Sequence, residues 1–180
     1  MDETLLLPTS VEPLEIVYRD HNQTIQRVVA RFDRFDKEYF VSDHGERAAL
    51  VAIRGREVLL TRQYRLLING LSCEIPGGRV DDNESPEDAA IRECLEETGI
   101  RCANLKPLIA YHPSLDVWKN FTRIFYSEEY REMSKELSDH RIWVPLAKCI
   151  EMIFSRQISD SMSIAALLAY QVMISTETHR

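Results

Sequence analysis

Short apolar runs divided by polar breaks occupy most of the chain, the pattern of strands joined by turns. Residues 14–19 and 24–32 carry β-forming side chains (Ile16, Val17, Tyr18; Ile25, Val28, Val29) on either side of Asp20-His21-Asn22-Gln23, and predict an N-terminal hairpin. The runs from Ala48 to Ile53 and from Val58 to Gln63 flank Arg54-Gly55-Arg56 and predict a second hairpin. Leu71 to Ile75 reads as a short strand stopped at Pro76-Gly77-Gly78, and residues 105–111, 121–126 and 142–146 read as later strands. Between these groups the chain predicts a helix over residues 86–98. Ser85 supplies its N-cap, Pro86 its first position, Asp88 the acid of a capping box and Gly99 the residue after the C-cap. Two more helices, about 147–155 and 161–174, close the chain. Strands, a central helix, more strands and terminal helices predict an α/β or α+β domain with a mixed sheet.

On a helical wheel Ala90, Ile91, Cys94, Leu95 and Thr98 gather on one side, which predicts the core-facing stripe. Glu93 and Glu97 share another face one turn apart, Glu96 lies three residues from Glu93, and Arg92 stands four before Glu96. Solvated acids are the ordinary meaning of such a face. Yet like charges at these spacings cost roughly 0.2–0.5 kcal/mol a pair, and Glu97 sits at the helix C-terminus, where negative charge is disfavoured. A divalent cation relieves both costs. Hard carboxylate oxygens with no Cys or His at hand suit Mg²⁺ or Mn²⁺ rather than zinc.

Charge narrows the choice of partner. Lys and Arg number 22 against 29 Asp and Glu, a net charge of −7 with no basic block, so neither nucleic acid nor an anionic membrane is gripped through bulk charge. The 180 residues suffice for one sizeable core with a small extra element. No apolar run approaches the length of a transmembrane helix, and the acidic N-terminus has too short an apolar stretch for a signal peptide. The four cysteines are scattered without metal-binding spacing and read as reduced thiols of a cytoplasmic protein.

Gly78, five residues, Glu84, seven residues, then Arg92-Glu93-Cys94-Leu95-Glu96-Glu97-Thr98-Gly99-Ile100 resembles the Nudix box, G-x5-E-x7-R-E-U-x-E-E-x-G-U, at all seven fixed positions. Chance gives such a match on the order of 10⁻⁶ per chain. Cys94 fills a position usually held by an aliphatic residue, and as a small hydrophobe it can pack there. The resemblance implies a Nudix α/β/α sandwich with a mixed β-sheet, and a Mg²⁺-dependent hydrolase. It implies Glu93 and Glu97 as main metal ligands, Glu96 as a further ligand directly or through water, and the Gly77 carbonyl as another. Arg92 and Glu84 would orient the carboxylates, the usual need of a metal site.

Arg62-Gln63-Tyr64-Arg65 and Glu74-Ile75-Pro76-Gly77-Gly78 are similar to the ADP-ribose and nucleotide-sugar pyrophosphatase branch, which carries an N-terminal β extension. The likeness implies that Arg65 contacts phosphate and that Glu74 contacts substrate or a water at the metal, with Arg62 and Trp118 as further candidate substrate contacts. It implies an extension over residues 1–45 for dimerisation and substrate, a hydrolase domain over 46–180, and a homodimer. Where the branch resembles P-S-P-G-x-x-x-E, this chain has Pro113-Ser114-Leu115-Asp116-Val117-Trp118-Lys119-Asn120, lacking the Pro-Gly turn and the acid. A carboxylate of the late loop, Glu136 or Asp139 with Glu132 and His140 in reserve, is expected to deprotonate the attacking water. The expected reaction is hydrolysis of ADP-ribose to AMP and ribose 5-phosphate, or of a related nucleotide sugar. Two rivals are a catalytically inactive Nudix sensor, opposed by the intact box, and an RNA- or cap-directed enzyme, opposed by the charge of −7.

Overall fold

The computed structural model describes residues 7–177; the stretch read above for a leader, residues 1–6, lies outside them. In chain order the elements are β1 (Ser10–Arg19), β2 (Thr24–Arg31), β3 (Asp36–Asp43), β4 (Arg47–Arg54), β5 (Glu57–Arg65), β6 (Gly70–Glu74), β7 (Gly77–Arg79) and α1 (Pro86–Thr98). There follow β8 (Ile100–Ala103), β9 (Lys106–Tyr111), β10 (Trp118–Lys119), β11 (Thr122–Ser127), β12 (Glu129–Glu132), β13 (Arg141–Pro145), α2 (Leu146–Phe154) and α3 (Ser161–Glu177). Contacts divide the chain into two compact units: the residues up to Gly45 with His112–Asn120, and Glu46–Tyr111 with the chain from Phe121 onward.

In the smaller unit β1, β2 and β3 form an antiparallel meander, and the short β10 joins β3 in parallel. Arg31 is shared by Glu12 and Asp36, and Arg27 by Glu15 and Glu38, so ion pairs lace the three strands. Apolar side chains of β1 stay exposed, among them Val11, Ile16 and Val17.

The larger unit is built on β4. Every residue from Ala48 to Ile53 is at most 3% exposed, which requires cover on both faces of the sheet. Strand periodicity then divides the core. Ala49, Val51 and Ile53 join Val58, Leu60 and Ile124 under α2 and α3, while Ala48, Leu50 and Ala52 join Leu59, Phe125 and the α1 residues Ala89, Ala90 and Cys94. The sheet runs β13-β5-β4-β11-β9, with β6 on β5 and β7 on β4; only the β4–β11 neighbours are parallel. This is the mixed-sheet α/β/α sandwich.

The expected helix forms as read. Ser85 Oγ accepts from the Asp88 N–H at 3.1 Å, and Gly99, at φ 70°, donates its N–H to Leu95. Its buried stripe differs from the wheel: Ala89, Ala90, Cys94 and Thr98 are buried, whereas Ile91 and Leu95 are only partly so. Small Ala89 and Ala90 let α1 lie close on β4, and the bulkier pair turns to the flanks. The second hairpin turns through Gly55 at φ 63°, yet β4 and β5 pair only at Ile53–Val58 and Arg54–Glu57 before each takes other neighbours. The expected N-terminal hairpin gains a third strand, β3, and β7, β8, β10 and β12 are additional, β7 forming on β4 at the Gly77-Gly78 read as a strand stop.

Candidate active site

Strand β7 leaves Pro76 and runs antiparallel to β4, setting Gly77 opposite Ala49 and Gly78 opposite Ala48. A Cβ on Gly77 would stand 2.6 Å from Ala49 Cβ and 2.7 Å from the Ala48 carbonyl oxygen, and one on Gly78 would overlap the Glu93 carboxylate. Both glycines are thus fixed by close approach. The gap they leave is filled from α1. Glu93 lies against Gly78, and Glu97 Oε2 accepts the Gly77 N–H at 3.2 Å while its Oε1 accepts the Gln63 side-chain amide.

Behind these carboxylates stands Arg92. It donates to Glu84 from Nε and Nη2 at 2.9 Å each, to Glu93 at 2.8 Å, to Glu96 at 3.2 Å and to the Arg79 carbonyl at 2.9 Å. The pairing with Arg92 holds the Glu84 carboxyl below its ordinary value. Burial pushes the Glu97 carboxyl up from 4.5 to about 6, with Glu93 adding to the rise and Gln63, Gly77 and Arg65 opposing it. Glu97 is therefore an acid whose charge the surroundings underpay.

That arrangement fits a hard divalent cation. The donors are all oxygen, and the carboxylates of Glu93 and Glu97 both end on a two-glycine backbone with room for no other side chain. Among the described residues no three His, Cys, Asp or Glu side chains close into a cage. Mg²⁺ is ordinarily bound by one or two carboxylates with waters and substrate phosphates, so a closed cage is not required. Glu96 is exposed and leans on Arg92. At Gly77 it is the N–H that meets Glu97.

The substrate candidates are distributed by strand alternation. On β5, Gln63 reaches Glu97 and Arg65 reaches Glu74, donating from Nε at 2.8 Å and from Nη2 at 2.5 Å. Glu74 is 4% exposed whereas the Arg65 side chain is about half exposed, so the pair joins an interior acid to a guanidinium that reaches the surface, and Arg65 also feels the charge of Glu97. Arg62 points the other way and donates to the Asp139 carbonyl at 2.7 Å, tying the turn Ser138–His140 to β5. That turn also packs on α1. Asp139, His140 and Glu136 are exposed there, while Glu132 is paired with Arg141 at 2.7 Å. Trp118 belongs to the smaller unit, where its half-exposed ring leans on His44 with centroids 5.4 Å apart.

Several contributors carried no role in the sequence reading. Gln63 holds Glu97, the Arg79 carbonyl holds Arg92, and Arg141 donates to the Thr98 and Ser134 carbonyls, joining the end of α1 to the late loop. Alternation along β5 was the available signal for Gln63, which shares the face of Arg65.

The NUDIX domain matches this chain over residues 44–159, and the chain belongs to that family. It is a Nudix hydrolase, and it is similar to ADP-ribose pyrophosphatases among others. An ADP-ribose pyrophosphatase of Bacillus subtilis (strain 168) is 25% identical over 142 residues, covering 76% of this chain and 77% of the relative. A CMP-5'-(N-acetyl-N-hydroxy-3-aminopropyl)phosphonate hydrolase of Streptomyces rubellomurinus (strain ATCC 31215) is 28% identical over 138 residues, covering 74% and 66%. A solved structure of an ADP compounds hydrolase has the same fold, with TM-score 0.81 and 21% identity over 97% of this chain and 98% of that one.

Proposed function

We propose that the protein hydrolyses the pyrophosphate bond of a nucleoside diphosphate linked to a second group, ADP-ribose or a related nucleotide sugar, with Mg²⁺ or Mn²⁺ as cofactor. The observation that carries this reading is the meeting of Glu93 and Glu97 on the Gly77–Gly78 backbone, within the electrostatic reach of Arg65. The Bacillus relative's name supports ADP-ribose, whereas the Streptomyces relative shows that a similar degree of identity accompanies another nucleotide conjugate.

Glu93, Glu97 and Glu96, with the Gly77 carbonyl, would hold the cation. Bound there, it supplies Lewis acidity and neutralises diphosphate charge. Arg92 keeps Glu93 and Glu84 in place, so the ligand carboxylates need no reorganisation when substrate arrives. Arg65, gripped by Glu74 along one edge, presents its remaining Nη1 to a phosphate oxygen. Glu136 or Asp139 takes the proton of the water as its oxygen bonds to phosphorus and the bridging P–O bond breaks. From ADP-ribose the products are AMP and ribose 5-phosphate.

The exposed apolar side chains of β1 support residues 1–45 as a dimerisation and substrate-completing extension of a homodimer. Four free thiols, three of them buried, support a reducing compartment, the cytoplasm. Among the described residues no helix is long and apolar enough to cross a membrane.

The test is kcat/KM with Mg²⁺ for ADP-ribose, GDP-mannose, UDP-glucose, NADH and dGTP, with products identified chromatographically. ADP-ribose or a nucleotide sugar is expected to lead. A clear preference for dGTP would remove the chain from this branch.

A further inference from the structure

Strands β8 and β12 form a two-stranded ribbon of their own beside the main sheet. Alternation gives the ribbon two unlike faces. Ile100 and Cys102, each 1% exposed, join Ala89, Ala90 and Cys94 in the core, and Tyr130 leans on Trp143 with ring centroids 5.2 Å apart. The other face carries Arg101 and Ala103 on β8 and Glu129 and Arg131 on β12, all of them exposed.

On that outer face Arg101 stands directly opposite Arg131. Like charges so placed destabilise a strand pair. The chain treats other cross-strand arginines differently: in the β1–β3 meander Arg27 is shared by Glu15 and Glu38, and Arg31 by Glu12 and Asp36. The ribbon's own acids are committed elsewhere. Glu129 accepts from the Asn104 side chain at 2.7 Å, and Glu132 pairs with Arg141 at 2.7 Å. Among the described residues neither Arg101 nor Arg131 has a side-chain hydrogen bond or an ion pair.

The two arginines border a concavity of about 740 Å³, with Ala103, Glu128, Glu129 and Met133 also on its walls. This is the size of a small-molecule site. Two guanidinium forks facing one space suit the oxygens of a phosphate. Met133, 59% exposed, and Ala103 offer an apolar wall to the rest of a ligand, while Glu128 and Glu129 oppose a polyanion. None of the side chains that meet at Gly77 and Gly78 lines this space.

We propose that Arg101 and Arg131 form a second anion site, separate from the Glu93–Glu97 gap, which takes the phosphate group of a small phosphorylated molecule. The site is anchored at the end of α1, because the Gly99 carbonyl accepts the Met133 N–H at 2.8 Å. Binding there requires no hydrolysis at the Glu93–Glu97 gap.

The test is amide NMR of the full chain titrated in EDTA with inorganic phosphate, against sodium chloride at equal ionic strength. Phosphate is expected to move the amides of residues 100–103 and 129–133 saturably, and chloride to leave them in place. Arg101→Gln/Arg131→Gln is expected to raise the dissociation constant about tenfold or more, the cost of losing hydrogen bonds to a charged group. Without phosphate the same variant is expected to melt above the wild type, since the facing charges are gone. AMP is expected to move the same residues at lower concentration than phosphate, through the wall of Ala103 and Met133. An equal response to chloride, shifts confined to other residues, or an unchanged dissociation constant in the variant overturns the proposal. So does a lower melting point of the phosphate-free variant, which would make the arginines part of the ribbon's own stability. Weaker binding of AMP than of phosphate would overturn the phosphorylated-molecule assignment and leave a site for the free ion.

Discussion

Arg92 holds Glu84 edge to edge, with Nε and Nη2 each 2.9 Å from a carboxylate oxygen, and spends its remaining Nη1 on Glu93 and Glu96. One planar cation therefore fixes the loop acid and two acids of the helix at once. A lysine carries the same charge on a single point and cannot reproduce that fork. Arg92→Lys is expected to raise the Mg²⁺ concentration for half-maximal activity by about 10–100-fold, the usual cost of losing a partner that orients metal ligands. A metal titration of initial rate reads it; an unchanged midpoint would mean that Arg92 does not orient the ligands.

Glu97 gives the metal-free protein a pH dependence with a definite sign. Its carboxyl is raised from 4.5 to about 6, so the folded chain binds more protons than the unfolded chain between those values. Stability must then fall as pH rises through that window, by about 2 kcal/mol for this group. The change in thermal midpoint between pH 4.5 and pH 7 in EDTA is expected to be less negative in Glu97→Gln than in the wild type, by about 4–8 °C. Mg²⁺ at pH 7 is expected to restore the wild-type loss and to have little effect on the variant. Parallel curves for the two proteins would show that Glu97 carries no such strain.

The late loop offers a divided test of the base. Glu136 and Asp139 are both exposed, and the Asp139 turn is held to β5 by Arg62. Replacing the true base by its amide is expected to lower kcat by about 10²–10⁴ with little change in KM. Steady-state kinetics of Glu136→Gln and Asp139→Asn read this directly. If neither slows turnover tenfold, the base lies elsewhere on the loop, and the Arg141-paired Glu132 is next.

The reach of the sequence follows from where the interactions run. The box was legible because its spacing is that of a glycine strand, a short loop carrying Glu84 and one helix closed by Gly99, and α1 forms from its Ser85 cap to Gly99 as those residues require. The buried β4 was legible because both its faces are apolar, so neither face needed a known partner. Gln63 was not legible, because its partner Glu97 lies 34 residues away and no local rule joins a strand amide to a helix acid. The same holds for Arg62 and the Asp139 carbonyl, 77 residues apart. Strands β8 and β12 escaped notice because each is four residues long and pairs with the other across the intervening β9–β11 segment. The helix wheel placed Ile91 and Leu95 in the core by hydropathy, but close approach to β4 selected the smaller Ala89.

The most direct trial of the whole account is product formation from ADP-ribose by the wild-type chain and by the Glu93→Gln/Glu97→Gln double variant, each followed with Mg²⁺ and with EDTA. The double variant should remain folded by circular dichroism, since both side chains lie at the loop rather than in the apolar core. AMP and ribose 5-phosphate are expected from the wild type only when the cation is present, and the double variant is expected to yield essentially none in either condition. Hydrolysis by the double variant at the wild-type rate, or wild-type turnover untouched by EDTA, would contradict the account.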